Sequence, residues 1–491
     1  MSTSDIIWLL VQVIGSLALF LFGMKYMSEA LQRFAGQGMR NVLASFTSNR
    51  FKSILTGAFV TTVIQSSSAT TVMVVSFVNA GILKLRNAIG VIMGANIGTT
   101  MTAWIITLFG LKFDISAFAI PVIGAGFICM MLNKIKINQV GEFLVGFGIL
   151  FLGLTFLKNT ISDLDLQNSE AVRNIIAACV SDGNAHIGHV LLFLLIGTIL
   201  TTILQSSSAT MALTIVLCSE GVIPLELAVA LVLGENIGTT ITANIAAAIG
   251  NSTAKRAARA HLLFNTIGVL WILVVFRLVM PFINFLTISI EGVSPYVSAA
   301  AVPVALSLFH TLFNIMNTSI LVWFVPQIEK LTSLMVQGSN EEDEVEYRLK
   351  YINTGFMNVG EVSIELAKKE IGEFAKRMVR MYNFIPDLMK MKQNSKEYKP
   401  LLSRVQHYEE ISDRMEIEIA DYLDKIRSES ISGDSSLRMR GMLRIVDNLE
   451  SIGDQNYQLA KMIDDRNNAG VHFSEEMEKN LSGIFELVGQ A

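Results

Sequence analysis

Charge is scarce in this chain. Only 16% of its 491 residues are Asp, Glu, Lys or Arg, against 52% hydrophobic, and the mean hydropathy is positive. That balance excludes a soluble protein over the whole length and points to the membrane. The shortage is uneven. Up to about Pro326 apolar segments follow one another with few acids, whereas from Glu341-Glu342-Asp343-Glu344 onward the chain is charged and soluble in character. The formal net charge of -4 therefore sums two unlike parts and implies no nucleic-acid partner. Cysteine is sparse too: Cys129, Cys179 and Cys218 lie at no metal-ligand spacing, and their apolar neighbours predict buried free thiols rather than a disulfide framework. A Walker phosphate loop is missing, and the apolar part holds no nucleophile–base arrangement. ATP-driven pumping and enzymatic turnover are both disfavoured. The first apolar stretch has no basic n-region and no clear small-residue cleavage site, so Ile6–Met27 reads as a retained first membrane helix.

What is present is a repetition. The stretch Gln65-Ser66-Ser67-Ser68-Ala69-Thr70 recurs as Gln205-Ser206-Ser207-Ser208-Ala209-Thr210, each four residues after a Thr-Thr pair. Gly94-Ala95-Asn96-Ile97-Gly98-Thr99-Thr100 recurs as Gly234-Glu235-Asn236-Ile237-Gly238-Thr239-Thr240. Both pairs are offset by 140 positions, so this is an internal repeat. A weaker echo links Phe20-Leu21-Phe22-Gly23 to Phe151-Leu152-Gly153. After the first helix, an amphipathic segment over 28–52 is expected at the interface. Apolar stretches follow at about 53–80, 82–109, 115–133, 140–158, 189–219, 225–249, 261–286 and 298–325. The domain reading is a membrane part over 1–330, a linker over 331–345 and a soluble helical part over 346–491. Within the membrane part, repeat one covers about 10–140, repeat two about 145–286, and a final helix about 298–325.

Ser and Thr are common in membrane helices, so one Ser-Ser-Ser says little. Matching polar interruptions in two repeats point to a transporter's midplane site. The paired glycines predict an unwound or kinked backbone, tolerated at membrane depth where it lines a cavity or packs inside protein. Neither cluster contains Arg, Lys or His. An anion there must be held by hydroxyls, amides and helix N-termini. The same neutral oxygens suit an alkali cation, and binding both ions together would let each offset the other's desolvation. Glu235, facing Ala95 in the alignment of the repeats, is open as a cation ligand, a proton site, or an acid at a water-filled mouth. His261 and Asn265, and again His310 and Asn314, share a helix face in His-x-x-Phe-Asn, read as interhelical hydrogen bonding or as substrate contact.

The paired Gln-Ser-Ser-Ser and Gly-x-Asn-Ile-Gly-Thr-Thr motifs resemble the type II sodium–phosphate cotransporter family over about residues 10–325. The resemblance implies an all-α, polytopic membrane protein with an inverted repeat and two re-entrant helical hairpins, followed here by a soluble bundle. It implies that Gln65, Ser66, Ser67, Gln205, Ser206 and Ser207 bind inorganic phosphate and sodium. Ser68, Thr70, Ser208 and Thr210 are next, then Asn96, Thr99, Thr100, Asn236, Thr239 and Thr240, with Glu235 as the unmatched acid. The short connection at about 159–188 and the long tail resemble the bacterial branch, placed in the inner (plasma) membrane with a cytoplasmic C-terminal domain. Sodium is the implied coupling ion; phosphate, sodium and membrane lipid are the partners, and a homodimer and a phosphate-signalling protein are the candidate protein partners. Competing readings are a membrane-anchored phosphate-signalling regulator and a carrier of another oxyanion.

In the tail, Ile364, Leu366, Ile371, Phe374 and Met378 recur at helical spacing, which predicts three or four long amphipathic helices in a bundle. The tail resembles a PhoU-like domain through Glu409 and Asp413, and through Asp447, Glu450 and Asp454. That resemblance implies a divalent metal on these acids; a solvated, salt-bridged face is the alternative.

Overall fold

A computed structural model describes residues 3–490 except 46, 48, 80–82, 113–115, 133, 166–168, 171–173, 175–179, 182–183, 249, 337–348, 350–351, 353–359, 392–394, 428–432 and 472. The chain divides into two compact units, Met1–Gly338 and Ser339–Ala491. Cys179 and Glu341-Glu342-Asp343-Glu344 lie outside the described residues, while Cys129 and Cys218 are free thiols, the second buried.

The first unit is helical and polytopic. Among the described residues, seven helices are long and apolar enough to cross a membrane. Its helices are α1 (Thr3–Ser45), α2 (Arg50–Ile64), α3 (Ser67–Asn79), α4 (Leu85–Ile105), α5 (Ser116–Met130) and α6 (Ile135–Asp163). A π-helical turn, Ile106–Lys112, extends α4. A two-residue hairpin, β1 (Val180–Ser181) against β2 (Asn184–Ala185), leads into the second half. There follow α7 (Ile187–Leu204), α8 (Ser207–Ser219), α9 (Leu225–Gly238), α10 (Thr240–Ala247) and α11 (Ser252–Val274). α12 (Phe276–Glu291), α13 (Val302–Leu321) and α14 (Val325–Met335) close the unit.

Two expected boundaries move. No separate interfacial segment follows Met27, because α1 continues unbroken to Ser45. The stretch at 261–286 is two helices, interrupted at Val275, whose φ of -98° and ψ of 10° depart from helical geometry.

Small residues set the packing. The echo between Phe20–Gly23 and Phe151–Gly153 is a contact: a Cβ on Gly23 would strike the backbone of Leu150, and one on Gly153 would strike that of Phe20. Helices α1 and α6 thus approach backbone to backbone, as small residues allow in membranes. On the same seam Arg33 Nη2 donates to Glu142 Oε2 at 2.6 Å, so a half-buried charge is paired rather than left alone.

The second unit contains α15 (Gly360–Lys390), α16 (Tyr398–Arg427), α17 (Gly433–Asn468) and α18 (Glu475–Gln490). The first three pack on one another pairwise. Ile364, Leu366, Ile371, Phe374 and Met378 are all buried, as their spacing predicts. Helix α18 lies against α15, where Tyr382 donates to the carbonyl of Phe485 at 2.7 Å.

Candidate functional site

Each Gln-Ser-Ser-Ser cluster is a helix break. Helix α2 stops at Ile64, Gln65 takes φ 56° and ψ 29°, and α3 begins at Ser67. In the second half α7 stops at Leu204, Gln205 takes φ 51° and ψ 26°, and α8 begins at Ser207. Left-handed backbone is uncommon for a residue with a side chain and costs about 1–3 kcal/mol unless its surroundings hold it. Here they do. Gln65 N donates to Thr61 O at 2.8 Å, and its amide Nε2 donates to Thr62 O at 2.6 Å. The two arms are tied by hydroxyls, Thr61 to Thr70 at 3.0 Å and Thr201 to Thr210 at 2.9 Å. Ser66 Oγ accepts from Ala69 N at 3.2 Å, and Ser206 Oγ from Ala209 N at 3.3 Å. With those caps made, the first-turn N–H groups of Ser67, Ser68, Ser207 and Ser208 have no partner within their own helices. Two helix N-termini in an apolar unit are therefore presented by the same local code.

The Gly-x-Asn-Ile-Gly-Thr-Thr motifs do something other than unwind. Helix α4 runs straight through the first copy, and the second passes from α9 to α10 with only a turn at Thr239. Their glycines serve close approach. A Cβ at Gly94 would strike Ile54 O of α2, and one at Gly98 would lie 2.6 Å from Ala58 O. The counterparts repeat this, Gly234 against Leu194 O and Gly238 at 2.6 Å from Thr198 O. Each broken arm is thus pressed onto the helix carrying the second motif. Thr99, Thr100 and Thr240 turn back to the carbonyls of Ala95, Ile97 and Ile237, as membrane-helix threonines commonly do.

The halves differ in what meets the clusters. Thr102 Oγ1 donates to Gln65 Oε1 at 3.0 Å, and Gln65 is buried. Thr242, its counterpart 140 positions on, reaches Ser68 Oγ at 3.5 Å and Thr239 O at 3.0 Å, and Gln205 is exposed. The Thr242–Ser68 contact joins the second half to the first cluster. Asn96 donates to Asn265 Oδ1 at 2.7 Å, whereas Asn236 donates to Val232 O of its own helix at 2.8 Å. Glu235 is 1% exposed and its Oε2 has no partner. His261 is buried with both ring nitrogens unpartnered, so the interhelical bond of its motif is made by Asn265 alone. Thr102, Thr242 and Ser28, which donates to Ile64 O at 2.8 Å, were not among the expected site residues, whereas Asn265 makes the interhelical hydrogen bond read for its motif. The first two carry the 140-residue offset and were open to detection by it.

In the tail, carboxylate oxygens of Glu409, Asp413 and Asp454 come within 4.8 Å of one another. Asp447 is exposed on α17 and outside that group, and Glu450 is half-buried beside it. Burial, then Asp413 and Asp454, push the Glu409 carboxyl above its ordinary value. Burial, then Asp454, do the same for Glu450.

A family model described as Na+/Pi-cotransporter matches residues 19–159 and 167–294. The chain belongs to the Na+/Pi-cotransporter family. It is accordingly a transporter and not an enzyme. "Uncharacterized protein YqeW" of Bacillus subtilis is 31% identical over 328 residues, 67% of this chain and 98% of that protein. "Putative inorganic phosphate export protein YjbB" of Escherichia coli is 25% identical over 480 residues, 97% of this chain and 82% of that protein. Human "Sodium-dependent phosphate transport protein 2B" is 40% identical over 103 residues, 20% of this chain and 15% of that protein. No solved structure matches the chain.

Proposed function

We propose that this protein carries inorganic phosphate across the bacterial plasma membrane together with sodium. The observation that carries the reading is the pair of left-handed breaks at Gln65 and Gln205, each opening a helix N-terminus inside an apolar unit. Free N–H groups and serine hydroxyls favour an oxyanion, and threonine, amide and carbonyl oxygens favour an alkali cation. In this reading α2–α3 and α7–α8 are re-entrant hairpins of an inverted repeat, and the two Gln-Ser-Ser clusters face one another across the substrate. Glu235 is a cation ligand at the edge of that site. Membrane lipid surrounds the unit and the functional form is a homodimer. Support comes from the relatives, whose names speak of phosphate and, for the human protein, of sodium dependence. The deciding experiment is uptake of labelled phosphate into proteoliposomes with and without a sodium gradient. Equal uptake under the two conditions removes sodium coupling, and half-inhibition of labelled phosphate uptake by sulfate or arsenate at lower concentration than by unlabelled phosphate makes it a carrier of another oxyanion.

One observation favours a second reading of direction. The Escherichia coli relative, matched over nearly all of this chain, carries export in its name. Preloading vesicles with labelled phosphate and reversing the gradient distinguishes the two directions. The second unit is read as a PhoU-like cytoplasmic domain that reports phosphate status to a signalling partner, with Glu409, Asp413 and Asp454 as divalent-metal ligands. Removing the tail should abolish signalling and leave transport intact. Lost transport on removal would favour a domain integral to the carrier.

A further inference from the structure

Helix α17 carries two seams of side chains, and its own bundle uses one of them. Met439, Met442, Val446, Leu449, Ala460 and Ile463 lie on the face that enters the core of the second unit. On another face Ile445, Asn448, Ile452, Gln455, Leu459 and Met462 keep strict steps of three and four, and all six are exposed. Ile445, Ile452 and Leu459 recur every seventh position. An apolar seam at that period is the pattern of a helix that pairs with another helix.

The partner that fits is a second copy of α17 running antiparallel. Setting Ile445 against Met462 of the second copy also pairs Asn448 with Leu459, Ile452 with Gln455, and Gly441 with Arg466. A twofold axis repeats each layer. Two features outside the apolar positions select this register. Arg444 and Asp465 flank the seam, are exposed, and have no ion-pair partner among the described residues. The register brings Arg444 of each copy beside Asp465 of the other, with Ser451 beside Gln458 between them. The second feature is Gly441. Gly453 of the same helix is explained by Ser412, whose Oγ a Cβ would approach to 2.7 Å. A Cβ on Gly441 would meet nothing within 4 Å, and glycine inside a helix weakens it. Opposite the stem of Arg466, the missing side chain leaves room. A parallel pairing would stack Arg466 on Arg466 and put Leu449 rather than a charge beside Arg444.

We propose that two copies of this chain meet through their tails, along an antiparallel seam of α17 from Gly441 to Arg466. The pairing rests on the homodimeric reading of the protein and adds where the copies touch. Asn448 and Gln455 make the seam weaker than a wholly apolar one, while fixing its register. That strength suits copies already confined to one membrane, where the local concentration is high.

The test uses the full-length protein in proteoliposomes with Cys129, Cys179 and Cys218 replaced. Arg444→Cys and Asp465→Cys are introduced singly and together, and a short bismaleimide is added. On one helix the two positions are about 31 Å apart, too far for the reagent to join within a chain. The double variant should run as a covalent dimer and each single variant as a monomer. Cross-linking of a single variant shows a different pairing, and none in the double variant shows no pairing; either overturns the proposal. Adding Ile452→Glu, at an exposed position that leaves the fold intact, puts an unpaired charge into the seam and should cut the cross-linked fraction about tenfold. An unchanged fraction assigns the product to collision and also overturns it. The mass of the untreated protein in detergent separates the two readings. A dimeric mass without cross-links leaves the homodimer standing and removes this seam, whereas a monomeric mass without cross-links removes both.

Discussion

Thr102 and Gln65 are 37 positions apart and joined side chain to side chain, at 3.0 Å, across the seam between α4 and the first helix break. The bond ties the supporting helix to a residue held in left-handed backbone. Its counterpart in the second half is not made, which separates the predictions for the two clusters.

Replacing Gln65 with Ala removes the acceptor of Thr102 and the donor to Thr62 O. Two lost hydrogen bonds correspond to about 2 kcal/mol. Gln205→Ala touches an exposed side chain and should change stability by under about 0.5 kcal/mol. Both should lower phosphate transport. Thermal unfolding in detergent separates the pair; equal shifts in melting would contradict the asymmetry.

Ser66→Ala and Ser206→Ala each remove an N-cap bond as well as a hydroxyl from the proposed site. The local helix end loses about 1 kcal/mol, too little to unfold the protein. Initial rates of labelled phosphate uptake should fall on the order of tenfold, the loss of one ligand bond. Wild-type rates in both variants would show that the serines cap helices and nothing more.

Gly94→Ala and Gly234→Ala drive a methyl group into the backbones of α2 and α7. Overpacking of this kind costs about 1–3 kcal/mol and pushes the broken arm from its support. Gly124 on α5 faces open space, where a Cβ would meet no other atom within 4 Å, so Gly124→Ala should be neutral or slightly stabilising. Chromatographic monodispersity after heating ranks the three variants.

Glu235→Gln keeps the shape of a buried side chain and removes its charge. If the carboxylate ligates the coupling cation, half-saturation by sodium should rise at least tenfold with the phosphate dependence little changed. An unaltered sodium dependence assigns Glu235 to packing.

In the tail, Glu409 and Glu450 are raised above the ordinary glutamate value of 4.5. Their folded form prefers the proton, so their favourable contribution is complete below that value and is lost as pH rises through the raised values. Protection factors over α16 and α17, with the intrinsic base-catalysed rise of amide exchange divided out, should therefore be higher at mildly acid pH than at neutral pH. Asp454→Asn should flatten the difference by removing a neighbouring charge. A divalent metal bound by these acids would restore protection at neutral pH, and magnesium or manganese without effect would leave a solvated acidic face.

The local architecture is legible in the sequence. Apolar runs, the charged tail and the 140-residue offset depend on composition and spacing, and hydrophobic length alone requires a helix in a bilayer. The recurrence of Gln-Ser-Ser-Ser marks both helix breaks for the same reason: a cap-forming serine after a residue that ends a helix is a local signal. Gly94 and Gly98 mislead in sequence because glycine permits both unwinding and close contact. The choice depends on what lies opposite, here the carbonyls of Ile54 and Ala58. Asn265 is beyond reach as the partner of Asn96, being 169 positions away. Nothing in two nearly identical motifs says which of them is bridged. Repetition specifies two equivalent halves, but a packed helical unit occupies one arrangement at a time. Only the tertiary structure decided that Gln65 and Asn96 are engaged while Gln205 and Asn236 are not.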